Sequence, residues 1–207
     1  MTAREFSADQ CPSARLRNGG PLLEAWNGLR ALLVPYFPEN LFRYRTVQPR
    51  MTPQRWQEIS AKAPMIGMSW AGWVPGNDRG GRQFRGDASF PIFLLVKTPL
   101  PEDLILGTDT MPGAMGVAST AVHALNGRKI RGGTVRVRSV SNLESCDWIN
   151  DRTAIVTMNV VVENLAFNER YLTADMPTLT RLEGTWTFTP GDGVVEDVVF
   201  DTESRSS

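Results

Sequence analysis

The sequence predicts an α+β fold: a single domain with a mixed, mostly antiparallel β-sheet packed by two main helices, plus an N-terminal arm and a C-terminal β-hairpin. Three patterns predict it. Ala154, Val156, Met158, Val160 and Val162 alternate while Ile155 and Val161 face the other way, the mark of a central strand buried on both sides. Leu22, Trp26, Leu29 and Leu33 recur with helical spacing behind Pro21, a residue suited to the first helical position. Glycine- and proline-rich turns separate several further short apolar runs.

In chain order, residues 1–20 are polar, end in Asn18-Gly19-Gly20 and read as a flexible arm. The first helix follows, and Pro35 and Pro38 stop it. Leu41–Thr46 predicts a strand, and Thr52-Pro53 caps a short helix that carries Trp56 and Ile59 and ends by Pro64. Met65–Val74 predicts a strand, residues 75–87 a loop rich in glycine and arginine, and Phe90, Ile92, Leu94 and Val96 one face of a second strand. Together they make a long antiparallel hairpin with its tip in solvent.

Leu104–Leu106 predicts a brief strand. Pro112–Asn126 predicts the second main helix, with Ala118, Val122 and Leu125 on one face and Asn126-Gly127 as its stop. Strands follow at Thr134–Val140 and Arg152–Asn164, and a last hairpin at Leu182–Thr189 and Val194–Phe200 around Pro190-Gly191-Asp192-Gly193. The organisation is thus an arm (1–20), a main α+β domain (21–165), a C-terminal extension (166–200) and a disordered tail (201–207).

Composition narrows the function classes. Lysine plus arginine equals aspartate plus glutamate at 22 each, so net charge does not argue for nucleic acid as a specific partner. The polar start lacks the apolar stretch of a secretion signal, and no apolar run approaches the roughly 20 residues that span a bilayer. A cytoplasm-like compartment without membrane attachment is expected, where Cys11 and Cys146 stay free thiols.

Catalytic patterns are missing. His123 is the sole histidine, which with two distant cysteines makes a poor metal set. A Cys146–His123 dyad is weighed and set aside, because Cys146 reads as a turn residue between strands. No phosphate-cradling glycine motif is present, and neighbours such as Glu196 and Asp197 point to opposite faces of a strand. No enzyme activity, cofactor or metal is expected.

Interaction features are better represented. Arg79, Arg82 and Arg85 crowd one glycine-rich loop, and Arg128, Lys129, Arg131, Arg136 and Arg138 follow the second helix with no acid between them. The last 25 residues carry six acids against Arg205 alone, so charge is segregated along the chain in a way that suits head-to-tail contacts. Trp70 and Trp73, beside glycines at the hairpin base, are candidates for an interface. Arg85-Gly86-Asp87 spells a cell-adhesion tripeptide but reads as loop composition.

The order of elements is similar to that of the tail-terminator proteins of long-tailed bacteriophages, particularly the family of Mu-like phages and prophages. The residues that carry the likeness are LLEAWNGLRALLVPYFPENLFR, then APMIGMSWAGW, a polar loop, FPIFLLVK, the helix end TAVHALNGRKI and a strand pair, over residues 21–165. The resemblance implies a homohexameric ring that caps the finished tail tube, stops its polymerisation and offers the surface joined to the head connector. The implied partners are further copies, the tail-tube protein and the connector; the implied place is the virion neck, with the host cytoplasm before assembly. Other readings are a head-completion or minor tail protein and, in another class, a small-ligand binding module with tryptophans in its pocket.

Overall fold

In a computed structural model of the chain, residues 19–48, 51–76, 84–143 and 151–166 are described. The arm before residue 19, the Leu182–Phe200 hairpin and the tail lie outside the described residues.

The first helix, α1 (Gly20–Leu33), begins with proline in its first turn and turns Pro21, Ala25, Leu29 and Leu33 inward, with Leu22 and Trp26 partly buried beside them. After β1 (Arg43–Thr46), Thr52 caps α2 (Pro53–Ser60): its Oγ1 accepts from the Arg55 amide at 3.3 Å. Three strands follow, β2 (Met65–Met68), β3 (Gly72–Pro75) and β4 (Arg85–Lys97). Then come the single turn α3 (Asp103–Leu106) and the second main helix α4 (Ala114–Leu125). Three strands close the described chain, β5 (Lys129–Ile130), β6 (Gly133–Asn142) and β7 (Thr153–Ala166).

The described strands join one mixed seven-stranded sheet in the order β1-β2-β4-β7-β6-β5, with β3 paired to β4 on the side where β2 also pairs. Only β1 and β2 run parallel, among pairings that are otherwise antiparallel. The α+β class is therefore as expected. The longest ladder joins β4 to β7, from Lys97 opposite Thr153 to Arg85 opposite Ala166.

The alternation in β7 does what the sequence expects. Ala154, Val156, Met158, Val160 and Val162 enter the main core with Phe90, Ile92, Leu94 and Val96 of β4, beneath α1 and α4. On the other face Val47, Met65, Leu95 and Ile155 form a smaller core, closed by Trp56 and Ile59 of α2. Trp56 meets Phe93 there edge-on, with ring centroids 5.1 Å apart.

Four expectations are corrected. Met65–Val74 is not one strand, because its hydrogen-bonding register shifts between β2 and β3. The segment 75–87 is not all loop: β3 reaches Pro75 and β4 starts at Arg85, since both ends of the run pair with neighbouring strands. Leu104–Leu106 is a helical turn, in which the Gly107 amide donates to the Asp103 carbonyl at 2.7 Å. The buried stripe of α4 is Ala114, Val117, Ala121, Ala124 and Leu125, rotated from the predicted face so that Ala118 and Val122 lie at its margin. Small alanines let this helix approach the sheet closely, which an argument from large apolar residues overlooks.

Candidate interaction surface

The break between β2 and β3 places the two hairpin tryptophans differently. Met68 lies opposite Ile92, and Ser69 and Ala71 donate to the carbonyls of Pro91 and Ser89 at 2.9 Å each. Gly72 then falls opposite Ser89, one position out of step. The extra residue interrupts the in–out alternation, and Trp70 stands 48% exposed. Trp73 instead lies opposite Ala88, packs on the main core and meets Phe84 edge-on at 4.7 Å. Of the two residues paired by the sequence argument, Trp70 fits an interface and Trp73 fits packing. Val74 and Phe84 add further exposed apolar surface to the same hairpin.

Arg85 is exposed at the start of β4, while Arg79 and Arg82 lie outside the described residues. The neighbours of Arg85 are explained by the fold. A Cβ at Gly86 would collide with the Val74 carbonyl, so the residue lets β3 and β4 approach. Asp87 hydrogen-bonds to the backbone of β7. The tripeptide therefore has a structural account for its glycine and aspartate.

The basic run after α4 forms an exposed corner, and cross-strand register brings carboxylates to part of it. Glu163 on β7 accepts from Arg136 Nε at 3.3 Å and from Arg138 Nη2 at 2.7 Å. Arg131 reaches Glu24 of α1 at 3.6 Å. Arg128 and Lys129 make no ion pair among the described residues. Exposed pairs of this kind contribute little to stability, about 0–1 kcal/mol each. Their effect is on where charge is left uncompensated.

Other titratable groups have structural settings. His123 is exposed, with its ring edge-on to Tyr36 at 5.7 Å. Cys146 lies outside the described residues, so the dyad has no geometry to weigh. No group of three or more His, Cys, Asp or Glu among the described residues is placed to hold a metal ion. No helix among them is long and apolar enough to cross a membrane.

Tyr44, which drew no notice in the sequence, ties β1 to the end of α1. Its hydroxyl donates to the Phe37 carbonyl at 2.9 Å, and the Arg30 guanidinium lies 5.4 Å from its ring centre. Burial pushes the hydroxyl pKa up to about 12; Glu39 adds to the rise and Arg30 opposes it. An exposed apolar shoulder around α3 (Leu100, Ile105, Leu106) and Met115 was also missed. Its signal was available as apolar residues interleaved with Glu102, Asp103 and Asp109 in a short turn.

In comparisons with known proteins, the chain matches no family model, and no curated protein is significantly similar to it in sequence.

Proposed function

We propose that this protein is a structural component of a phage tail, a terminator whose copies close into a ring on the end of the tail tube. The ring halts tube polymerisation and presents the surface to which the head connector joins. It is hexameric in this reading, works without a cofactor and catalyses no reaction. The observation that carries an assembly role is Trp70, held half-exposed between β2 and β3, where their pairing with β4 shifts by one residue. Tryptophan is one of the residue types enriched among those that dominate interface energies. The order of elements from α1 to β7 supports the more specific reading, since it follows the order that resembles the tail terminators.

The test is mass in solution, alone and with assembled tail-tube protein. The expected result is a multimer that binds tube ends, and Trp70→Ala weakens that binding while leaving the thermal transition in place. A protein that remains monomeric and ignores tubes would overturn the reading in favour of a ligand module or an enzyme.

A further inference from the structure

Two unlike surfaces stand at the two ends of α4, whose 12 residues span roughly 18 Å at 1.5 Å per residue. At its start, Gly113 packs directly on the backbone of Ile105–Gly107, with no room for a Cβ, so α3 and the first turn of α4 form one shoulder. Leu106 is 77% exposed there, Met115 61% and Leu100 51%. Glu102, Asp103 and Asp109 fringe these side chains, and none of the three makes an ion pair among the described residues. The adjoining strand ends add Asp151 against Lys97 and Arg152, which leaves acids in excess among the described residues there.

At the far end of α4 the balance is reversed. Arg128 and Lys129 are exposed and make no ion pair among the described residues, and Arg131 beside them reaches Glu24, while Arg136 and Arg138 pair with Glu163 on the other face of the sheet. The stems of arginine and lysine add apolar surface to this corner. An apolar shoulder with acids, and a corner with bases, that make no ion pair among the described residues are complementary to each other on one chain of zero net charge.

We propose that the α3–α4 shoulder of one copy docks on the basic corner of a second copy, head to tail. The contact deepens the ring reading and rests on it only in taking a second copy as the occupant. Because the two patches differ and lie at opposite ends of a helix, the contact is heterologous. Repeated with a closing rotation, it produces a ring.

The experiment uses two full-length variants. Glu102→Lys with Asp109→Lys makes the shoulder basic; Arg128→Glu with Lys129→Glu makes the corner acidic. All four residues are exposed, so both variants fold, which circular dichroism checks. Mass photometry and sedimentation are then expected to show self-association of each variant weakened roughly tenfold or more, and wild-type association weakening as salt rises. Mixed in equal amounts, the two variants regain the multimer, because each reversed surface meets its complement on the other. The proposal is overturned if wild-type protein is monomeric, if either folded variant associates like wild type, or if the mixture fails to recover. The two readings fail separately. Wild-type rings that survive both reversals remove this surface and leave the ring; monomers that still bind tube ends remove this contact and leave the capping role.

Discussion

The Asp87 carboxylate accepts a hydrogen bond from the Asn164 backbone amide at 3.0 Å, across the point where the β4–β7 ladder loses register. Gly86 lies opposite Leu165 and Ala88 opposite Val162, so β7 has one residue more than β4 in this interval. Asn164 absorbs it with a positive φ of 59°, a conformation that asparagine tolerates better than other side chains. The carboxylate takes up an amide that the broken ladder leaves without a strand partner. Asp87→Ala is expected to cost about 1 kcal/mol. Asn164→Val is expected to cost about 1–2 kcal/mol, whereas Asn164→Gly is tolerated. Urea denaturation of the three variants measures this ordering, and equal losses for valine and glycine would contradict the role of φ.

Leu29 has no exposed surface and sits at the centre of the α1 stripe that closes the main core. Leu29→Ala is expected to lower stability by about 2–5 kcal/mol. An unchanged melting temperature would mean that α1 does not pack on the sheet.

Tyr44 gives a pH dependence with a defined sign. Its pKa is raised in the fold from 10.0 to about 12, so the folded state favours the protonated hydroxyl. The associated stability is fully present below pH 10 and is lost as pH rises toward 12. Tyr44→Phe removes the bond to Phe37 and is expected to cost about 1 kcal/mol at neutral pH. The gap in melting temperature between wild type and this variant then narrows above pH 10, and a constant gap across that window would refute the assignment.

The arginines at the hairpin are expected to act in assembly and not in folding. Arg85 is exposed, and a run as rich in glycine and arginine as residues 75–87 has little to add to a hydrophobic core. Replacing Arg79, Arg82 and Arg85 with glutamate is therefore expected to leave the thermal transition nearly unchanged. If the proposed function holds, tails assembled with this variant have irregular lengths or lack heads in electron micrographs, and wild-type capping weakens with salt. Normal tails joined to heads would shift the interface to Trp70 or to the corner at Arg128.

How much of this was legible depended on what each pattern records. The in–out alternation of β7 was plain because both faces are buried, so the apolar set on each side is nearly complete. The helix cap at Thr52 was legible because capping is local. Leu104–Leu106 misled because three consecutive apolar residues carry no period, and Gly113, later in the chain, packs on the backbone of Ile105 and Leu106. The Arg136–Glu163 and Arg138–Glu163 pairs bridge residues 27 and 25 positions apart, so only the β6–β7 register reveals which bases remain uncompensated. The different fates of Trp70 and Trp73 likewise turn on a register shift that composition does not encode.

The unequal covering of the two sheet faces by the described helices predicts two tiers of opening. Among the described residues, the main core lies under both long helices, whereas the smaller core of Val47, Met65, Leu95 and Ile155 on the second face is covered by α2, 8 residues long, with Met51, Ala63 and Leu143. A helix this short depends mainly on docking, so it is expected to lift and reseat without disturbing the β4–β7 ladder. Amide hydrogens of Trp56–Ser60 should therefore exchange with solvent through a local event of low free energy. Those of Leu94–Val96 and Val156–Met158 should wait for the whole sheet to come apart.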